Sequence, residues 1–140
     1  MTRRTRGTNW PLGPLTEEDL PPGIYLVSYH GWERKSYFGQ PKIRLDFVIV
    51  EPVVCAGLVV SLYATCKHDR NQRPSRLGKY YQLWVRVHGS PPQRGQRMTP
   101  SIFYGYWQVR VDWGRDDETG EPTIPIITDL LERVAGGGGG

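Results

Sequence analysis

Apolar positions recur with a period of two at residues 42–49, where Ile43, Leu45, Phe47 and Ile49 interleave with Lys42, Arg44, Asp46 and Val48. Successive side chains of a strand point to opposite faces, so this period of two predicts a strand with one buried face and one mostly polar face. Residues 24–32 read as a preceding strand, and the connection at 33–41, with Gly39-Gln40-Pro41 in it, reads as a long hairpin. A third strand is entered through Ala56-Gly57, with Leu58, Val60, Leu62 and Ala64 on one face and Val59, Ser61, Tyr63 and Thr65 on the other. A fourth is expected over 102–113, where Phe103, Gly105, Trp107, Val109, Val111 and Trp113 share one side and Tyr104, Tyr106, Gln108, Arg110 and Asp112 the other. Residues 124–127 give a short fifth strand, and Asp129-Leu-Leu-Glu-Arg-Val predicts a short C-terminal helix. Between the third and fourth strands the period changes. Leu77, Tyr80, Tyr81, Leu83, Trp84 and Val87 recur at helical spacing, with Ser75 as the expected N-cap and Gly89 as the stop.

The order strand, strand, strand, helix, strand, strand is that of the OB-fold, a five-stranded Greek-key barrel with a helix between strands 3 and 4. The expected fold is therefore mainly β and OB-like. A length of 140 residues, 38% hydrophobic and 23% charged, suits one globular domain and leaves no room for a second core. The expected division is a basic, proline-rich arm at 1–22, a domain at 23–134 and a glycine tail at 135–140. No apolar run approaches the roughly 20 residues of a membrane span, and Met1-Thr-Arg-Arg-Thr-Arg lacks the apolar stretch of a signal peptide. A cytoplasmic location is expected, in which Cys55 and Cys66 stay thiols.

Charge sharpens this picture. Residues 66–100 hold eight Lys and Arg against Asp69 alone, whereas residues 101–140 hold three Arg against seven Asp and Glu. A concentrated basic block suits a polyanionic partner, and nucleic acid is the commonest. Single-stranded nucleic acid needs cations along a groove for its phosphates and aromatic faces for its unstacked bases. The candidates are Arg34, Lys35, Tyr37 and Phe38 in the first hairpin, Lys42 and Arg44 on the second strand and Tyr63 on the third. Lys67, Arg70, Arg73 and Arg76 follow the third strand, and Tyr104, Tyr106 and Arg110 share a face of the fourth. Trp32 accompanies the hairpin set, Arg94 and Arg97 flank Gly95, and Trp84, Trp107 and Trp113 are assigned to the core. The competing account of each tyrosine is ordinary cross-strand packing.

Three stretches carry a resemblance: Leu20-Pro-Pro-Gly-Ile-Tyr, Phe38-Gly-Gln-Pro-Lys leading into Leu45-Asp-Phe-Val-Ile, and Gly57-Leu-Val-Val. They resemble the opening of small OB-like single-stranded-DNA-binding proteins of phages and mobile elements, over residues 20–66 with a looser echo at 103–113. The resemblance implies a non-catalytic protein of replication, recombination or transfer of a mobile element, its partner single-stranded DNA. The sequence lacks the acidic, hydrophobic-ended tail with which bacterial relatives of that kind recruit other proteins. The same chemistry admits RNA, and an open strand edge admits a homo-oligomer.

Other chemistries find less. Cys55, Cys66, His68 and His88 match no compact zinc spacing, and no metal or cofactor is expected. Asp112, Asp116, Asp117, Glu118 and Glu121 would be raw material for a metal-dependent nuclease, but four of them fall in a Gly- and Pro-containing turn that reads as a solvated loop. Gly-rich phosphate loops, Gly-x-Ser-x-Gly and His-Glu-x-x-His are absent, so no enzyme is expected. The rival from another class is a protein-interaction module, because Tyr and Arg are also enriched at protein interfaces.

Overall fold

The alternating segments form five strands of one sheet. The computed structural model describes residues 16–37, 40–66, 78–116 and 118–134, with the side chains of 35–37 and 40 outside that set. The elements are β1 (Gly23–Tyr37), β2 (Gln40–Glu51), β3 (Val59–Thr65), α1 (Lys79–His88), β4 (Tyr106–Arg115) and β5 (Pro122–Val134). Every neighbouring pair is antiparallel, and the hydrogen-bonded order is β3-β2-β1-β4-β5. The two ends of that order, β3 and β5, come back into contact without pairing. At this seam Arg86 of α1 donates to the Leu130 carbonyl oxygen and lies 3.7 Å from Asp129, so a helix side chain occupies part of the free edge of β5.

The buried face follows from the period of two. Ile43, Leu45, Phe47 and Ile49 of β2 pack with Val60, Leu62 and Ala64 of β3, Val109 and Val111 of β4, and Tyr80, Leu83 and Trp84 of α1. Burying each large side chain stabilises by about 1.5–3 kcal/mol relative to leaving it exposed. The polar ends of the buried rings are satisfied. Trp84 Nε1 donates to the Thr99 carbonyl at 3.1 Å, Trp107 Nε1 to that of Phe103 at 2.7 Å, and the Tyr80 and Tyr25 hydroxyls to those of Met98 and Pro21, each at 2.6 Å. Burial pushes both of these tyrosines above their ordinary pKa. Trp84 and Trp107 are thus core, as expected, while Trp113 is only partly buried. Helix α1 stops where expected, at Gly89 in the left-handed region (φ 97°), whose N–H donates to the Val85 carbonyl.

Four local expectations are corrected. The C-terminal helix is instead the second half of β5, which is a strand of 13 residues and not the short one expected. The register shows why: Ile127 pairs with Val111, Asp129 with Arg110, Leu130 with Val109 and Glu132 with Gln108, so Thr128 and Leu131 have no opposite number. Two bulges therefore turn an alternation into the spacing Ile127, Leu130, Arg133 on the core side, a step of three that imitates a helix. The fourth strand begins at Tyr106, because Pro100–Phe103 form a 3-10 turn and Gly105 (φ 105°) redirects the chain. The first hairpin is longer than expected, with strands running to Tyr37 and from Gln40. Finally, α1 starts at Lys79 with Gly78 as N-cap, and Ser75 lies outside the described residues.

Candidate nucleic-acid interface

β1 is the longest strand, and its two halves have different surroundings. Its first half pairs with both β2 and β4, but the β4 ladder ends at Ser28 opposite Tyr106. One more contact, from the Tyr29 N–H to the Gly105 carbonyl at 2.9 Å, marks the parting. His30 is then an extra residue with no partner on β2, and beyond it β1 pairs with β2 alone. This overrunning hairpin is an arm. Directly opposed residues of an antiparallel pair share a face. Trp32 lies opposite Leu45 and Arg34 opposite Ile43, so both belong to the core-side face. Leu45 and Ile43 are buried, yet Trp32 remains 47% exposed and Arg34 exposed, because no β4 lies beside this part of β1.

Arg34 lies at the rim of the core. Burial pushes up the Cys66 thiol and the Tyr80 hydroxyl, and the Arg34 guanidinium offsets part of that push on both. Cys66 is also where the described chain leaves β3, its N–H donating to the Pro41 carbonyl at 3.0 Å. The chain returns at Lys79, whose N–H donates to Thr65 Oγ1 at 3.3 Å. The end of β3 at Thr65-Cys66 and the start of α1 at Lys79 thus lie together, beside the arm. Lys67, Arg70, Arg73 and Arg76 lie in the sequence between them, outside the described residues, as does Phe38 in its own hairpin. Lys35 and Tyr37 are placed by backbone pairing opposite Lys42 and Gln40, but their side chains also lie outside the described set.

The opposite, outer face carries the remaining strand candidates and divides them. On β2 and β3, Arg44 lies opposite Tyr63 and Lys42 opposite Thr65. Arg44 is held on both sides: Nε and Nη2 donate to the two Asp46 carboxylate oxygens at 2.8 and 3.1 Å, and Nη2 donates to Glu33 Oε1 at 2.8 Å. Asp46 accepts a further bond from the Ser61 hydroxyl at 2.7 Å. Two carboxylates therefore engage the Arg44 guanidinium on this wall. Tyr63 is half-buried there, as the packing account holds. Tyr106 and Arg110 lie on the outer face of β4, in register with Ser28 and Ile24, on the far side of β1. Arg110 is opposite Asp129 on its other side.

Tyr104 leaves the β4 ladder altogether. It follows the 3-10 turn before Gly105, with 68% of its surface exposed. The Arg133 guanidinium lies 5.7 Å from its ring centroid and 4.7 Å from that of Trp107, while donating to the Ile102 carbonyl. The sequence alone does not single out Arg133, because the bulges of β5 hide its strand. Trp32, which accompanies the hairpin candidates in the sequence, is placed by strand pairing on the core-side face of the arm. Arg94 and Arg97 are exposed in the loop after α1.

Among the described residues, no three His, Cys, Asp or Glu side chains group as a metal site requires, and no helix is long and apolar enough to cross a membrane. The chain matches no family model, no curated protein and no solved structure, so its functional reading rests on this geometry.

Proposed function

We propose that this chain binds single-stranded DNA without catalysis, on an OB-type barrel, with the core-side face of the β1–β2 arm as the contact surface. The sheet order, the return of β5 to β3 and the helix between β3 and β4 favour such a barrel. One observation carries the binding reading: Trp32 and Arg34 are presented together on the core-side face of the arm, beside the end of β3 and the start of α1, and the sequence joining those two elements holds four cations. The flat face of Trp32 supplies stacking, worth about 1–3 kcal/mol per base, and the cations supply phosphate attraction. This differs from the outer wall anticipated from strand alternation, where Arg44 is already engaged by carboxylates. Replication, recombination or transfer of a mobile element is the setting that the sequence resemblance suggests for such a protein.

The test is tryptophan fluorescence titrated with oligo-dT at low salt. Saturable quenching is expected, with log affinity falling by about 0.7 per neutralised phosphate for each log unit of salt. Equal binding of duplex, or no quenching, overturns the reading. A matched RNA strand binding more tightly would reassign the substrate to RNA.

A second reading, a protein-binding module, has its own observation. Val53, Val54 and Ile24 are 83%, 56% and 52% exposed, beside a shallow cleft of about 390 Å³ between Pro21–Leu26 and Glu51-Pro52. That apolar end lies about 20 Å along β2 from the Trp32 position, the distance from Leu45 to Glu51. Retained protein binding after Trp32→Ala, with no binding of oligonucleotide by the unaltered chain, would favour it.

A further inference from the structure

Resting on the single-strand reading, we infer that Tyr104 is a second base-stacking position, held by Arg133, and that the bound strand runs from the arm across the β1 bulge onto it. The first argument is presentation. Most large apolar side chains of β4 and its approach are buried, including Phe103 and Trp107 on either side, yet Tyr104 between them is 68% exposed. Gly105, at φ 105°, makes the turn that takes Tyr104 off the ladder. A residue carrying a β-carbon would adopt that conformation only with strain.

The second argument is support. Arg133 is paired with Trp107 across the β4–β5 ladder, and its guanidinium is fixed by the Ile102 carbonyl and the Trp107 ring. Those contacts place a planar cation beside the Tyr104 ring. A ring presented to solvent and backed by a cation can receive a flat, electron-rich partner such as a nucleobase. Arg133 is thus a positioning residue for the Tyr104 ring.

The third argument is continuity. The Gly105 carbonyl accepts the Tyr29 N–H, so Tyr104 adjoins the point where β1 parts from β4, and Trp32 is three residues further along β1. The backbone path between the two exposed rings is about 20 Å. Only the bulge residue His30, which is exposed, and Gly31 lie between Tyr29 and Trp32.

The experiment measures affinity for oligo-dT of about 16 nucleotides, the upper end of the span covered by one OB domain. It uses the unaltered chain, Trp32→Ala, Tyr104→Ala, Tyr104→Phe and Arg133→Gln. Tyr104→Ala is expected to lose about 5- to 150-fold in affinity. Its salt slope should not change, because no phosphate contact is removed, and its melting temperature should stay near that of the unaltered chain. Tyr104→Phe should keep the affinity. Arg133→Gln should weaken binding less, and have no added effect in a Tyr104→Ala background. Wild-type affinity in Tyr104→Ala, alongside weakened Trp32→Ala, overturns the second position and leaves the single-strand reading standing. Equal loss in Tyr104→Phe would trace the effect to the hydroxyl and also overturn it. No binding by the unaltered chain would remove both.

Discussion

The two halves of β1 each alternate, one residue out of phase across the His30 bulge, and end in opposite environments. In the first half, Tyr25 and Val27 point to the core side and are sealed at 3% and 0% exposure, both paired with β4 and Val27 also with β2. In the second half, Trp32 and Arg34 point to the same side and stay open to solvent. The difference is whether a neighbouring strand closes over the face. A sheet face is buried by what packs against it, so an overrunning hairpin exposes residues that its own pattern would assign to the interior. The outer wall teaches the converse. Its cations are exposed by pattern, yet Arg44 is matched by Glu33 and Asp46.

The largest effect that tests this contrast comes from two tryptophans. Trp84→Ala removes a ring that is 1% exposed and bonded to the Thr99 carbonyl, and is expected to cost about 3–5 kcal/mol in chemical denaturation. Trp32→Ala should cost less than about 1 kcal/mol while weakening oligonucleotide binding. Comparable stability losses would place Trp32 in the core and end the comparison.

Next in size is the response to alkali. Tyr25 and Tyr80 are raised, mainly by burial, above their ordinary value near 10. Because the folded pKa exceeds the unfolded one, their contribution is fully present below about pH 10 and is lost as pH rises beyond it toward the folded values. Stability measured by denaturation from pH 8 to 11 should therefore hold level and then fall. In Tyr80→Phe the fall should be shallower, with a cost of about 1 kcal/mol at neutral pH for the lost bond to Met98. An unchanged alkaline fall in that variant would mean that other groups govern it.

The smallest effect distinguishes the two faces of the arm. Arg34→Gln should lower affinity for oligo-dT severalfold and flatten the salt slope by about 0.7, the loss of one phosphate contact. Arg44→Gln, on the other face, should leave the slope unchanged. The reverse result would move the bound strand to the outer wall.

Much of this architecture is legible in the chain because burial on one face leaves a period of two. Lys42 to Ile49 and Val59 to Thr65 alternate as read, and Gly89 ends α1 where its left-handed conformation requires. The candidate site is less legible. Alternation puts Tyr63 and Arg44 on one outer face, where they lie, but whether Arg44 stays available depends on Glu33, eleven residues away and brought opposite by the hairpin register. Tyr104 belongs by pattern to an alternation that a 3-10 turn interrupts, and Arg133 to a helix that two bulges imitate.

By itself, the sequence determined the strands with an unbroken alternation, the helix between the third and fourth of them, and the segregation of positive charge into residues 66–100. Those properties are local: each follows from neighbouring side chains and the repeat of the backbone. Only the tertiary structure decided that β1 outlasts β4, that carboxylates hold Arg44, and that Arg133 reaches Tyr104. These depend on strand register, and one inserted residue shifts every later side chain to the other face.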